Sequence, residues 1–197
     1  MNVLQSALAS IDGAILEWMH RHATPTGMAV CIAISHVGSP ITMALLAFAG
    51  GLALAALGEW ILLTGWVAAF SGASLLDHWL KVAVHRPRPA YATALIQHAT
   101  WSFPSGHAMG SLVGYGMLAY VLVSLIRGPR QAKLYIVAGA ALLIAAIGVS
   151  RLYLGVHYLS DVLGGYAAGL LWLALCIVGV ETARRWRGKD LNLNPMS

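Results

Sequence analysis

The sequence predicts an all-α membrane protein: a polytopic helical bundle of five to six transmembrane segments with an N-terminal interfacial helix. Of its 197 residues, 59% are hydrophobic and only 10% are charged, and the mean hydropathy of +0.74 is far above that of a soluble domain. Several windows of roughly 20 residues are almost free of charge, which is the length that crosses about 30 Å of hydrocarbon. A soluble globular class is therefore excluded.

The first predicted element is an amphipathic helix over residues 3–22 that lies on the membrane surface. Asp12 and Glu17 interrupt its apolar stretch and no basic region precedes it, so we do not expect a cleaved signal peptide. The apolar segment 28–37 follows and is too short to cross by itself. It can extend the next span through the break at 38–40, because glycine and proline are tolerated inside membrane helices.

Five later segments are long and apolar enough to be predicted as spans: 39–58, 60–80, 105–126, 133–153 and 157–180. The predicted organisation has three parts. An N-terminal interfacial segment covers 1–38, a membrane-embedded domain covers 39–183, and a basic cytoplasmic tail covers 184–197.

Basic residues indicate which side faces the cytoplasm. One loop and the tail, which emerge on the same side, hold most of the lysines and arginines: Arg127, Arg130, Lys133, Arg184, Arg185, Arg187 and Lys189. This bias is typical of the cytoplasmic side. It also accounts for the net charge of +5 without nucleic acid, because the basic residues are not interleaved with aromatic ones. We therefore predict a multi-pass protein of the cytoplasmic (inner) membrane, whose loops 81–104 and 151–157 face the periplasm or exterior.

Polar side chains gather on that outer side, from the stretches "KVAVHRPRP", "PSGH" and "SRLYLGVHYLSD". Ionisable residues at membrane depth are expensive and usually mark function. Lys81, Arg88 and Arg151 would repel one another unless an anion lay among them, and a phosphate suits both arginine and lysine. The stretch "PSGH" adds amides at a helix N-terminus, which also favours an anion.

Two histidines and a carboxylate complete a candidate catalytic set. His157 and Asp161 are four residues apart, so on one helix the carboxylate would accept the imidazole Nδ1–H and leave Nε2 as a nucleophile. His107 opens a different span and is a candidate general acid for the departing oxygen. The alternative is a divalent-metal site built from these three residues. The nearby cations would repel a metal ion, so we expect no metal in this site. Loss of activity in EDTA would instead support the metal-site alternative.

These stretches resemble the three-part signature of the type 2 phosphatidic acid phosphatase (PAP2) superfamily. Six residues separate Lys81 from Arg88-Pro89, and "PSGH" occupies 104–107. Five residues separate Ser150-Arg151 from His157, and three more separate His157 from Asp161. The resemblance covers roughly residues 60–180. Members are usually expected to have six crossings, and here the first is missing or reduced to the N-terminal segments.

The resemblance implies a role for each matching residue. The phosphoryl-binding set would be Lys81, Arg88, Ser105, Gly106 and Arg151. The resemblance implies that His157 attacks phosphorus to give a phosphohistidine, that Asp161 holds this histidine in place, and that His107 protonates the leaving group. Neither a metal nor another cofactor is required.

The implied function is metal-independent hydrolysis of a lipid phosphate or diphosphate at the outer membrane face, with the substrate arriving laterally from the surrounding membrane lipids. Undecaprenyl diphosphate, phosphatidylglycerol phosphate and phosphatidate are the candidate substrates. Two alternatives stay open. A lipid phosphotransferase would use the same phosphoenzyme, and a transporter or scaffold would bind an anion without catalysis. The oligomeric state is not predicted.

Neighbouring residues have less specific interpretations. Arg86 matches no fixed motif position, and we interpret it as a snorkelling side chain at the membrane edge. Asp77 lies four residues before Lys81, the favourable order for a helical ion pair. Three further histidines are interpreted as interfacial or loop residues: His78, His85 and His98.

Two G-x-x-x-G patterns, Gly110 with Gly114 and Gly165 with Gly169, predict close helix packing. We expect them to serve contacts within the chain.

Overall fold

The computed structural model describes residues 3–91 and 100–193, with side chains described over 6–91 and 100–188. Its helices are α1 (Val3–Arg21), α2 (Pro25–Val37), α3 (Pro40–Ala56), α4 (Trp60–Val84), α5 (Gly106–Leu125), α6 (Arg130–Tyr153) and α7 (Leu159–Leu193). The described residues contain no β-strand. The predicted all-α fold is therefore confirmed.

Five stretches of helix within the described residues are long and apolar enough to cross a membrane: Pro25–Ala56, Trp60–Val84, Gly106–Leu125, Arg130–Tyr153 and Leu159–Gly188. The first joins α2 and α3 across the break at 38–40, as the sequence predicted. Ser39 caps α3 there by accepting a hydrogen bond from the Thr42 amide. Large apolar side chains such as Ile41 and Leu142 lie exposed on these helices, as expected of surfaces that face lipid.

α5 is the central helix, and α3, α4, α6 and α7 pack against it. Its buried face, including Met109, Val113 and Met117, forms the main core together with Trp66 of α4. α7 approaches α5 closely, because a Cβ built on Gly165 would lie 2.8 Å from the Ser105 carbonyl oxygen. The predicted use of this glycine for contacts within the chain is thus confirmed.

α1 packs against α6 and α7. The predicted helix at 3–22 is confirmed in its extent, while its position relative to a membrane stays a prediction. The described part of α1 is largely exposed, apart from Asp12 and Leu16 on one face. A buried carboxylate on such a helix needs a partner, because a charged group is costly to bury alone.

Several predicted span boundaries were wrong: α6 begins at Arg130 and not at 133, and the last span continues to Gly188 instead of ending at 180. Two further differences affect the candidate site. α4 continues to Val84 instead of ending near residue 80, and His85 ends it in the left-handed conformation with φ 49°. α7 begins at Leu159, so His157 lies in the connection after α6 and not on the helix that carries Asp161.

Candidate active site

A cavity of about 1500 Å³ contains most of the predicted site residues. Its lining combines residues of α2, α3 and α4 with six of the predicted side chains or glycines: Lys81, Arg88, Gly106, His107, Arg151 and His157. Three stretches that are far apart in the sequence thus converge on one volume. Apolar residues such as Met28, Ile32, Ile41 and Phe70 line the rest of it.

The ring of His157 has a defined tautomer. Its Nε2 lies 3.2 Å from Arg88 Nη1, and a guanidinium can only donate hydrogen bonds. Nε2 is therefore the acceptor and carries the lone pair, while the proton resides on Nδ1. Nδ1 lies 3.5 Å from Asp161 Oδ2 and 3.4 Å from Ser102 Oγ.

His157 is also held in its neutral form. Burial, the largest cause, lowers its pKa to about 4, and the charges of Arg88 and Arg151 act in the same direction while Asp161 opposes them. The imidazole is therefore uncharged near pH 7. A neutral ring whose lone pair accepts a hydrogen bond from a cation at the cavity can act as a nucleophile once an anion takes over that donor.

Asp161 is fully buried and is fixed by several donors. Its Oδ2 accepts hydrogen bonds from the Ser102 hydroxyl at 2.5 Å and from the Tyr158 amide at 2.9 Å. Its Oδ1 accepts from Arg86 Nη1 at 2.7 Å. The expected pairing with His157 is present, but the helical reason for it was wrong, because the start of α7 and not a shared helix sets the geometry.

Ser102 is a site residue that sequence reasoning missed. It is fully buried, its hydroxyl contacts Asp161, and its amide donates to the Arg86 carbonyl oxygen at 2.8 Å. The only signal in the sequence is a hydroxyl residue three positions before Ser105 in the outer loop. No spacing rule distinguishes such a serine from an ordinary loop residue.

Arg86 corrects a second expectation. Its guanidinium donates to Asp161, to Ser160 Oγ at 2.6 Å and to Asp12 Oδ2 at 2.8 Å, and it stacks over the Tyr158 ring at 4.1 Å. The side chain is therefore engaged inside the protein and does not snorkel. The snorkelling interpretation failed because its carboxylate partners come from α1 and α7, far away in the sequence.

Arg88 is anchored at the edge of the cavity. It donates to the carbonyl oxygen of Thr100 at 2.9 Å, to the hydroxyl of the same residue at 3.1 Å, and to the Val156 carbonyl oxygen at 3.0 Å. Burial lowers its pKa, and the coulombic attraction of Asp161 and Asp77 offsets part of that effect. These neutral acceptors fix the guanidinium without neutralising it.

Arg151 is the most exceptional cation of the site, with only 2% of its surface exposed. Its Nη1 donates to the Ser35 hydroxyl. No atom of the described residues accepts a hydrogen bond from its Nε or Nη2, although both nitrogens are buried. Buried donors are nearly always paired in folded proteins, so this guanidinium is suited to an acceptor from outside the chain.

The other predicted phosphate contacts differ in what surrounds them. Lys81 forms the expected pair with Asp77 at 2.5 Å and also donates to the Pro104 carbonyl oxygen at 2.8 Å. A Cβ on Gly106 would lie 3.2 Å from both Asp77 carboxylate oxygens, so this carboxylate lies close to the start of α5. The N-terminus of α5, which we predicted to bind an anion, therefore already lies next to the Asp77 carboxylate.

Ser105 and His107 belong to the first turn of α5 and its cap. Ser105 is fully buried, and its hydroxyl accepts from the Ala108 amide at 3.4 Å while its own amide donates to the Asp161 carbonyl oxygen at 3.0 Å. It is not among the residues that line the cavity, so its contact with a phosphate stays a prediction. His107 does line the cavity, as a general acid must.

Two of the three histidines that we interpreted as interfacial or loop residues have different surroundings. His78 lines the cavity, whereas His85 packs edge-on against Trp101 with ring centroids 4.8 Å apart. His98 lies outside the described residues. Within the described part of the chain, no group of three His, Cys, Asp or Glu residues is arranged to hold a metal ion.

Comparisons with known proteins identify the family. The family model for the PAP2 superfamily matches residues 54–185. Phosphatidylglycerophosphatase B of Bacillus subtilis (strain 168) is 39% identical over 117 residues, which cover 58% of this chain and 56% of the relative. Lipid phosphate phosphatase delta of Arabidopsis thaliana is 35% identical over 111 residues, which cover 51% of this chain and 26% of the relative. The chain thus spans about half or less of the length of these curated relatives.

Two solved structures share the fold. The crystal structure of the transmembrane PAP2 type phosphatidylglycerolphosphate phosphatase from Bacillus subtilis matches with a TM-score of 0.79 and 32% identity over 92% of this chain and 88% of that one. Aquifex aeolicus LpxE matches with a TM-score of 0.62 and 22% identity over 83% of this chain and 93% of that one, a likeness of fold alone. Because the family model covers more than half of the sequence and the motif residues converge on one cavity, the chain belongs to the PAP2 superfamily.

Proposed function

We propose that this protein is a metal-independent lipid phosphatase that hydrolyses a lipid phosphate or diphosphate through a phosphohistidine on His157. Phosphatidylglycerol phosphate is the first candidate substrate, because the relative and the solved structure with the most extensive similarity reported above carry that activity in their names. Undecaprenyl diphosphate and phosphatidate are the other candidates. We place the reaction at the outer face of the cytoplasmic membrane, on the distribution of basic residues.

One observation carries the proposal. The two unpaired nitrogens of Arg151 and the lone pair of His157 belong to residues that line the same cavity. An anion-binding site is expected to hold buried donors that have no acceptor among the described residues, because the oxygens of the anion supply the acceptors. A nucleophile beside such donors is the arrangement that phosphoryl transfer needs.

In the first step, Arg88 Nη1 donates to a phosphoryl oxygen instead of to His157 Nε2. The freed lone pair of Nε2 attacks phosphorus, and the bond from phosphorus to the lipid oxygen breaks. His107 supplies the proton that the departing oxygen takes up, so the lipid leaves as an alcohol. From a diphosphate, the lipid monophosphate would leave instead. The forming imidazolium keeps its proton on Nδ1, where Asp161 stabilises the new positive charge.

In the second step, water attacks the phosphohistidine and the phosphorus–nitrogen bond breaks. His107, now neutral, accepts the proton of that water, which returns the acid to its starting form. Arg88 and Arg151 stabilise the negative oxygens in both steps, in the way that fixed donors stabilise developing charge. Lys81 is the third cation of this set, and its ion pair with Asp77 neutralises part of its positive charge.

The apolar part of the cavity suits the lipid tail. Ile32 of α2, Ile41 of α3 and Phe70 of α4 line it, on helices whose outer surfaces are apolar. A lipid can therefore place its head group among the cations while its chains remain next to the bilayer. Amphiphilic substrates of this kind match a site with a charged end and an apolar end.

The test is release of inorganic phosphate from a panel of lipid phosphates and diphosphates by the purified protein in detergent with EDTA present. We expect activity in the wild type and in His22→Ala, a control histidine just after α1, and only background release in His157→Ala. His107→Ala and Arg151→Ala should lose about 100-fold or more in kcat. Near-normal turnover by His157→Ala would overturn the assignment of the nucleophile.

Trapping the intermediate separates the alternatives. Rapid quenching with a lipid labelled on phosphorus should give a labelled protein in the wild type and none in His157→Ala. Addition of a lipid alcohol then distinguishes hydrolysis from transfer, because a transferase would move the label to that alcohol instead of releasing phosphate. Loss of activity in EDTA that Mg²⁺ restores would refute the metal-independent mechanism.

A further inference from the structure

Asp12 is a buried carboxylate on an otherwise exposed helix. Only 3% of its surface is exposed, whereas its helical neighbours Ile11 and Trp18 are 49% and 57% exposed. Burying a charged group is costly unless it is paired and hydrogen-bonded. The position of Asp12 therefore needs an explanation beyond the packing of α1.

The partners of Asp12 lie at the catalytic centre. Its Oδ1 accepts from the Ser160 amide at 2.9 Å, and its Oδ2 accepts from the Ser160 hydroxyl at 2.5 Å and from Arg86 Nη2 at 2.8 Å. Ser160 lies in the first turn of α7, directly before Asp161. Asp12 thus supplies a negative acceptor to a helix N-terminus, where it is favourable.

Arg86 joins this carboxylate to the catalytic one. Its Nη2 contacts Asp12 while its Nη1 contacts Asp161 at 2.7 Å, so one planar guanidinium spans both. Burial acts to lower the pKa of Arg86, but the hydrogen bonds and charges of the two carboxylates outweigh it and raise the pKa. Arg86 therefore stays charged and is fixed from both sides.

We propose that Asp12 is a positioning residue of the catalytic centre, acting on Asp161 through Arg86. Without the Asp12 charge, the guanidinium loses one of the two carboxylates that fix its plane, and its whole charge acts on Asp161. The catalytic carboxylate is then less well oriented and less able to stabilise an imidazolium on His157. This proposal rests on the lipid phosphatase function proposed above.

The test compares Asp12→Asn with Glu17→Gln in the purified protein. The first substitution removes the charge at nearly constant size, whereas Glu17 pairs with Arg21 on the exposed side of the same helix. We expect Asp12→Asn to lower kcat about 10-fold, the effect of ~1.4 kcal/mol on a barrier, and to change KM less than about 2-fold. Glu17→Gln should match the wild type in both. Equal kcat in the two variants would overturn the proposal.

A double-mutant cycle distinguishes positioning from a general loss of structure. Arg86→Lys keeps a positive charge but cannot span two carboxylates, so it should lower kcat to a similar extent. If Asp12 acts through Arg86, the double variant should lose little more than either single one. Independent, multiplicative losses in kcat would refute the coupling.

A measurement that does not depend on turnover separates this proposal from the proposed function. In protein with ¹⁵N-labelled histidine, the Nδ1–H signal of His157, identified by its absence in His157→Ala, should exchange with water faster in Asp12→Asn than in Glu17→Gln. If the wild type released no phosphate, the proposed function would fail while this exchange difference would still support positioning. Identical exchange in the two variants would refute it.

Discussion

Replacing Arg151 by methionine should make the protein more stable and far less active. Its guanidinium is buried, lies beside the like charge of Arg88, and has two donors without an acceptor in the described structure. Each such donor costs about 1–2 kcal/mol, so the two together cost about 2–4 kcal/mol. Against this, Arg151→Met leaves the buried Ser35 hydroxyl without its partner, at a cost of about 1 kcal/mol.

The expected balance is therefore a gain of about 1–3 kcal/mol, because a buried charge is often replaced by an apolar side chain of similar volume without loss. At about 2–4 °C per kcal/mol for a chain of this size, the thermal midpoint in detergent should rise by roughly 5 °C. The same substitution should lower kcat/KM about 100-fold to 1000-fold, since it removes the two donors that we propose bind the phosphoryl oxygens.

The assay measures thermal unfolding with and without inorganic phosphate, together with phosphate release. Phosphate should raise the midpoint of the wild type, because a ligand of the native state stabilises it, and should leave Arg151→Met unchanged. Arg184→Met is the control, since Arg184 forms only a partly exposed pair on α7 and such pairs contribute little. A less stable Arg151→Met, or one with normal kcat/KM, would refute the reasoning.

The other predictions concern the nucleophile, its carboxylate and the helix packing behind them. The pKa of His157 is about 4 instead of the ordinary 6.5. In a pH profile corrected for ionisation of the substrate, kcat/KM should therefore fall only as the pH drops through about 4, where Nε2 becomes protonated. A fall in kcat/KM near pH 6.5 would contradict the assigned environment. Ser102→Ala should lower kcat about 10-fold with little change in KM, because Asp161 loses a charge-assisted hydrogen bond of 2.5 Å; unchanged kcat would show that the bond has no catalytic role. Gly165→Val should destabilise the fold by about 1–3 kcal/mol, because a Cβ there would lie 2.8 Å from the carbonyl oxygen of Ser105 at the α5 cap. Gly179→Ala on the same helix is the control, because its Cβ would meet nothing within 4 Å. Equal thermal midpoints for the two variants would argue against the close packing of α5 and α7.

The sequence predicted six of the residues that line the cavity, because each motif combines chemistry with fixed spacing. Arg88 and Arg151 could be predicted as candidate anion-binding residues, because an ionisable side chain at membrane depth usually marks a functional site. The long apolar segments predicted the helices, because length and composition alone determine which segments can cross a bilayer. Boundaries were less accurate: α7 begins at Leu159, two residues after the predicted start of its span.

The network behind the nucleophile could not be predicted in this way. Asp12, Arg86 and Ser102 approach Asp161 only because α1, the outer loop and α7 pack together. Locally, a lone arginine at a membrane edge looks the same whether it faces water or a buried carboxylate. A single serine carries even less information, so the positioning network required the tertiary structure.

The placement of charge on the two faces of His157 explains how one imidazole can serve as a nucleophile toward an anion. On the cavity side, Arg88 and Arg151 disfavour protonation of the ring. In the proposed function they also attract the negative substrate. On the opposite side, Asp161 holds the Nδ1 proton. In the proposed reaction, phosphorus bonds to Nε2 and the ring becomes positive, while the phosphoryl oxygens neutralise the cations that opposed this charge. In the proposed mechanism, the same arrangement keeps the free ring neutral and stabilises it after attack, once the bound anion has taken over the hydrogen bond that Arg88 donates to Nε2 in the free protein.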